Sequence, residues 1–205
     1  MLEPVLGINR RIQRHFGFAS VSFSPEHSLA SFAPRRFFPH LLGLERFGGK
    51  KVLEIGGSHK ISMEQFFVET KADYTNVRLE SNKTKNPRVL VSDFMDIEGR
   101  FDLIITLGVF ELGAIDVNFD TLRGSKSRHT IRDRIEKLSK LTAPGGECVI
   151  GTISSPCFFD DRSVSLAGFT LIYRQSPFYT FMHGDGADVF EKSDKSELLI
   201  LHKLG

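Results

Sequence analysis

Lys51-Val52-Leu53-Glu54-Ile55-Gly56-Gly57-Ser58-His59 is the stretch on which the fold turns. An apolar run that ends in Gly-Gly-Ser reads as a buried strand bending sharply into a helix, the kind of turn beside which nucleotide-like ligands bind. Glycine admits a positive φ and carries no Cβ. The backbone can therefore press against a ligand while the free N–H groups of the next helix point at it. Glu54 sets a carboxylate just inside the strand end.

Four further signals follow in order. Tyr74 to Leu79 is a short strand-like run that ends in Glu80, and Val89 to Ser92 leads into Asp93. Phe101-Asp102-Leu103-Ile104-Ile105-Thr106-Leu107 is nearly continuous in apolar residues. After a helical stretch, Ala143-Pro144-Gly145-Gly146 precedes a strand-like run from Glu147 to Thr152. In this ordered set the chain resembles the class I, Rossmann-like, S-adenosylmethionine-dependent methyltransferases. Their glycine loop, acidic residue after strand two, Asp after strand three and Pro-Gly-Gly turn before strand five come in the same sequence. The resemblance runs from Lys51 to Pro156, and it departs at the loop, where a G-x-G pattern is replaced by Gly56, Gly57, Ser58, His59 and Lys60.

Dinucleotide binding is the nearest rival, and the same residues argue against it. A G-x-G-x-x-G fingerprint begun at Gly56 would need glycine at Ser58 and Ile61, and one begun at Gly57 would need it at His59 and Ser62. A side chain at those places obstructs a pyrophosphate and the packing of helix on strand. Glu54 also suits a positively charged amino group better than a diphosphate.

With 205 residues, 40% hydrophobic and 25% charged, the chain suits one globular unit with a sizeable core. We expect a single methyltransferase-like domain, residues 1–205, with a helical N-terminal cap over 1–50 and a Rossmann-like core over 51–205. There is no Trp and there are 19 Phe, so the interior is built largely on phenylalanine. A net charge of +2 is too mild to imply a nucleic-acid partner by itself. The two cysteines, Cys148 and Cys157, make no disulfide framework and read as reduced thiols of a cytoplasmic protein. No leader-like start or long apolar run is present, so neither secretion nor a membrane is expected.

Val5, Ile8, Ile12 and Phe16 recur at helical spacing, Ser24-Pro25-Glu26 is a good helix start, and a further helix is expected from Arg36 to Phe47. Helices are also expected over Ile61 to Lys71 and His129 to Leu141, the second showing Ile131, Ile135, Leu138 and Leu141 on one face. Between Asp93 and Phe101 there is room only for a turn or one helical turn. Gly168 to Arg174 and Glu197 to Lys203 read as strands joined by a long Gly- and Asp-containing connection. Together with the resemblance these imply an α/β, doubly wound, mostly parallel seven-stranded sheet with an antiparallel last strand.

The resemblance also implies roles. Glu80 holds both ribose hydroxyls, a task suited to an acceptor-only carboxylate, or else is a surface acid at a strand end. Asp93 accepts from the adenine amine with Phe94 against the ring, or else Asp93 caps a turn. Glu54, Gly56, Gly57 and Ser58 surround the methionine end, with satisfaction by local backbone N–H groups as the alternative for Glu54. Leu107, at the end of strand four, completes the cofactor-facing set.

Methyl transfer from a sulfonium is an in-line displacement, so alignment and exclusion of water carry most of the catalysis. An oxygen or nitrogen nucleophile with a proton can also need a general base. Glu111, beyond strand four, is one candidate, with a helix-start acid as its alternative reading. His183 is the other. It stands on the connection between the last two strands, which overhangs the carboxyl face if strand six runs parallel to its neighbours.

No Asn-Pro-Pro-Tyr or Asp-Pro-Pro-Tyr follows strand four, and Cys157 follows strand five, so amino methylation by that motif and cytosine-C5 chemistry are not indicated. No metal-ligand spacing stands out, and none is expected. The Phe-rich segments 35–40 and 177–181 either close over a small acceptor or dock the cap on the sheet. The basic stretch from Arg123 to Lys140 lacks interleaved aromatics and reads as a solvated face. The expected activity is methylation of a small molecule by S-adenosylmethionine, with an RNA or protein methyltransferase, or a non-catalytic binding module, as alternatives.

Overall fold

The computed structural model describes residues 21–23, 39, 42–56, 63–79, 86–107, 109–110, 130–152, 157, 159–175, 178–184, 187–193 and 197–205. In chain order the strands are β1 (Val21–Phe23), β2 (Lys51–Ile55), β3 (Asp73–Arg78), β4 (Val89–Val91), β5 (Phe101–Leu107), β6 (Thr142–Gly151), β7 (Phe169–Gln175), β8 (Phe178–Gly184), β9 (Ala187–Ser193) and β10 (Leu198–Lys203). Seven of them form one sheet in the order β4-β3-β2-β5-β6-β10-β7. The pairs β4–β3, β3–β2, β2–β5 and β5–β6 are parallel, whereas β10 is antiparallel to both β6 and β7. This is the doubly wound, mostly parallel sheet with an antiparallel last strand that the sequence implied.

Parallel strands covered on both faces must be apolar on both, and these are. Val52, Leu103, Ile105, Val149 and Ile200 project to one side, where Phe66 and Phe67 of the Glu64–Glu69 helix cover them. Leu53, Ile104, Cys148, Ile150 and Leu199 project to the other, under Ile135, Leu138 and Leu141 of the Ile131–Leu141 helix. That helix starts on a capping box: Thr130 accepts from the Asp133 N–H, and the Asp133 side chain accepts from the Thr130 N–H. Between β5 and β6 the register skips from Phe101↔Thr142 to Leu103↔Glu147, so Ala143–Gly146 bulges out, with Gly145 at φ +75°.

Three expectations need correction. The N-terminal segment, expected as a helical cap, is not helical throughout: Val21–Phe23 is a strand, while within the stretch from Arg36 to Phe47 the described residues Pro39 and Leu42 are helical and a 3-10 turn follows at Leu44–Phe47. Residues 5–16 and 24–26 lie outside the described residues. Next, the connection between β7 and β10 is not irregular. It contains β8 and β9, paired antiparallel from Phe178↔Ser193 to Gly184↔Ala187, and β1 adds to β9 to make a second, three-stranded sheet. Pairing with a strand far off in sequence decides the first case, whereas the second is a local hairpin that β1 then extends. Finally, His183 is not on a loop. It belongs to β8, opposite Asp188.

Because β7 is parallel to β6, the chain leaves β7 at the carboxyl edge of the main sheet and re-enters at Leu198, which pairs with Gly151 and Gln175 at that same edge. The β8–β9 hairpin is therefore inserted at the edge where the parallel strands end.

Candidate functional site

Strand order reverses between β2 and β5, since the chain runs outward through β3 and β4 and then returns to the far side of β2. In an open α/β sheet the crevice beyond the carboxyl ends at such a reversal is where ligands bind. Gly56, directly after β2, has φ +83°, and a Cβ built on it would stand 2.3 Å from Val109 Cγ2. The turn after β2 and the turn after β5 thus meet at the crevice, and only glycine permits it.

Hydrogen bonds lock neighbouring strand tips together. The Gly56 N–H donates to the Val77 carbonyl at 2.8 Å, and the Ser92 N–H donates to the Arg78 carbonyl at 3.0 Å. On the face of the Glu64–Glu69 helix, Glu54 is 3% exposed. Its Oε2 accepts from the Met63 N–H at 2.8 Å and from the Tyr74 hydroxyl, so the carboxylate braces the helix entry against β3 from beneath the turn. Tyr74 in turn stacks on Phe67, with ring centroids 5.5 Å apart.

Asp93 follows β4. Its Oδ1 accepts from the Met95 N–H at 3.0 Å, capping the 3-10 turn at Phe94–Asp96. Phe94 is buried on the face of the Ile131–Leu141 helix, edge-on to Phe110 at 5.4 Å, and Phe110 meets Phe159 at 5.1 Å. These rings join the turns after β4, β5 and β6 into one floor. Leu107 closes β5 beside the Ile55–Gly56 step. Gly57, Ser58, Glu80 and Glu111 lie outside the described residues.

Two buried polar groups at the strand tips have no hydrogen-bond partner: Thr106 Oγ1 at the end of β5 and Arg78 Nε at the end of β3. Arg78 was not singled out in the sequence. A lone basic residue near the end of a β-prone run carries no local mark of burial, and only the sheet reveals that its side chain is enclosed. Among the described residues no three His, Cys, Asp or Glu side chains gather as a metal-holding group, and no helix is long and apolar enough to cross a membrane. Cys148 and Cys157 are both buried, and neither is in a disulfide.

Neither a protein-family model nor a curated protein sequence matches the chain. Solved structures do. The N-methyltransferase NodS from Bradyrhizobium japonicum superposes with a TM-score of 0.51 at 14% identity, over 84% of this chain and 98% of that one. A candidate RNA methyltransferase from Pyrococcus horikoshii gives 0.53 at 13% identity, over 90% and 87%. The 1,6-didemethyltoxoflavin-N1-methyltransferase of Burkholderia thailandensis, with 1,6-didemethyltoxoflavin and S-adenosylhomocysteine bound, gives 0.52 at 14%, over 99% and 89%. The chain has the class I, Rossmann-like methyltransferase fold.

Proposed function

We propose that this chain transfers a methyl group from S-adenosylmethionine to an oxygen or nitrogen nucleophile on a small molecule. The observation that carries this reading is the left-handed Gly56 packed on Val109 at the reversal between β2 and β5, within a sheet of methyltransferase order. A Cβ there would strike Val109, so only glycine lets the two turns that border the crevice close on one another. The Burkholderia thailandensis enzyme with this fold holds 1,6-didemethyltoxoflavin and S-adenosylhomocysteine together, which supports the reading.

The cofactor would supply an electrophilic methyl on sulfur. The protein's tasks are then to hold, align and keep out water. Gly57 and Ser58 would present backbone N–H groups, Gly56, whose own N–H is held by the Val77 carbonyl, would let the turn close on the ligand, and Glu54 would steady the turn from below. Glu80 would accept from the ribose hydroxyls, Asp93 with Phe94 would border the adenine end, and Leu107 would face the cofactor beside the Ile55–Gly56 step. Glu111 or His183 would take a proton from the nucleophile where it carries one.

A small acceptor is favoured over RNA by the state of the basic helix. Arg134 is buried and so withdrawn from any phosphate, and the exposed Arg132 is paired along the helix with Glu136 at 2.7 Å. Calorimetry with S-adenosylhomocysteine on the wild type, Glu80→Ala and Asp93→Ala tests the cofactor assignment. Binding by the wild type and loss of about ten-fold in each variant are expected. Equal affinities across the three proteins would remove both carboxylates from the site, and a screen of acceptors by methyl uptake follows once binding is established.

A further inference from the structure

Arg78 ends β3 with 6% of its surface exposed, and its Nε is enclosed without a hydrogen-bond partner. Among the described residues no carboxylate pairs with it. A buried guanidinium without a counter-charge is costly to keep, and proteins retain one where something else supplies the charge. Its position says what that is. The residue is bracketed by the turn after β2, through Gly56 on the neighbouring Val77, and by the turn after β4, through Ser92 on its own carbonyl. That is the carboxyl edge of the sheet, on the β2–β3–β4 side of the crevice.

By strand alternation Arg78 shares a face with Tyr74 and Asn76, and Glu54, opposite Asn76 in the register, is on that face too. Glu54 makes no ion pair with Arg78, and its Oε2 is turned to Met63 and Tyr74. From this arrangement we infer that Arg78 is the anion anchor of the site and receives a carboxylate of the bound ligand. A guanidinium presents a planar fork that matches a carboxylate by two parallel N–H···O bonds. One cation does not balance a phosphate dianion, and the Glu54 carboxylate on the same face opposes a second negative charge. The carboxylate is either the amino-acid end of the methyl donor, in which case the inference rests on the function proposed above, or an acid group on the acceptor.

Arg78→Met and Arg78→Lys decide the matter, with S-adenosylhomocysteine, 5′-deoxy-5′-methylthioadenosine (the same thioether nucleoside without the amino acid) and benzoate as probes. Without ligand, Arg78→Met is expected to melt at or above the wild type, because it loses an unpaired buried charge. If the anchor holds the donor, this variant loses about ten-fold or more in affinity for S-adenosylhomocysteine and none for methylthioadenosine, and Arg78→Lys falls between. If it holds the acceptor, both nucleoside affinities persist, and the rise in melting temperature that benzoate gives the wild type disappears in Arg78→Met. Unchanged S-adenosylhomocysteine affinity together with an unchanged benzoate shift overturns the inference. So does a drop of several degrees in the ligand-free melting temperature of Arg78→Met, which would make the residue structural. A wild type that binds neither nucleoside defeats the methyl-donor reading alone. The benzoate arm then judges Arg78, and absence of any shift on the wild type would end the anchor as well.

Discussion

Gly56 and Val109 meet across the mouth between β2 and β5, so closely that a Cβ on Gly56 would lie 2.3 Å from Val109 Cγ2, at a backbone φ of +83°. Two separate penalties follow for Gly56→Ala, one from the dihedral angle and one from overlap with a short β-branched side chain that cannot swing away. Together they are expected to cost about 2–4 kcal/mol. Urea unfolding of Gly56→Ala, Val109→Ala and the double variant separates them. A favourable coupling of about 1 kcal/mol or more between the two substitutions is expected, and strict additivity would mean that the side chains do not contend for the same space.

Tyr74 and Glu54 make the buried bond that joins β3 to the helix entry. Removing the hydroxyl in Tyr74→Phe deprives an enclosed carboxylate of a donor, and the cost is expected at about 1.5–3 kcal/mol, the range for hydrogen bonds to charged groups. Denaturant midpoints check it. A loss under about 0.5 kcal/mol would show that solvent or another donor serves Glu54 equally well.

The parallel sheet was legible because its strands are long apolar runs punctuated by Gly56, Asp93 and Ala143–Gly146, all local features. The second sheet was misread, although part of it was signalled. Asp185-Gly186 separates Gly184 from Ala187, the innermost pair of β8 and β9, and an Asp-Gly pair between two β-prone runs is a hairpin mark. The pairing of Val21–Phe23 with residues 188–190 left no such mark, since it joins segments far apart in the chain. At the site, strand ends could be placed from sequence, whereas the bracing of Met63 by Glu54 and the enclosure of Arg78 depend on which strands lie side by side.

Alkali should loosen the fold through Cys148. Burial pushes this thiol well above its ordinary value of 9.0, and Cys157 nearby adds to the rise. The folded protein therefore keeps a proton that the unfolded chain releases. Unfolded chains then bind fewer protons than folded ones, so stability is intact below about pH 9 and falls as pH rises, by about 1.4 kcal/mol per unit. Urea unfolding across pH 8 to 10.5 should show a shallower fall in Cys148→Ala than in the wild type. Parallel profiles would mean that Cys148 ionises as easily inside the fold as outside it.

Thr106 offers a case where removing a polar atom should help. Its Oγ1 is buried without a partner, and Thr106→Val replaces the hydroxyl with a methyl of nearly the same shape. Stability is expected to stay level or rise by about 1 kcal/mol. A loss of that size on urea unfolding would show that the hydroxyl is satisfied in solution.

Asp93 can be tested for two roles at once, because its cap and its reach are separable. The cap needs only a short side-chain acceptor for the Met95 N–H, 3.0 Å from Oδ1, whereas contact with a ligand beyond the strand tips needs the second carboxylate oxygen as well. Asp93→Ser keeps the first and removes the second; Asp93→Ala removes both. Loss of the cap in Asp93→Ala is expected to cost about 0.5–2 kcal/mol, with little cost in Asp93→Ser. Affinity for S-adenosylhomocysteine should fall by a similar factor in the two variants, since neither retains the outer oxygen. If Asp93→Ser binds as the wild type does while Asp93→Ala alone is weakened, the turn's geometry matters and the carboxylate does not, and Asp93 is a cap with no ligand of its own.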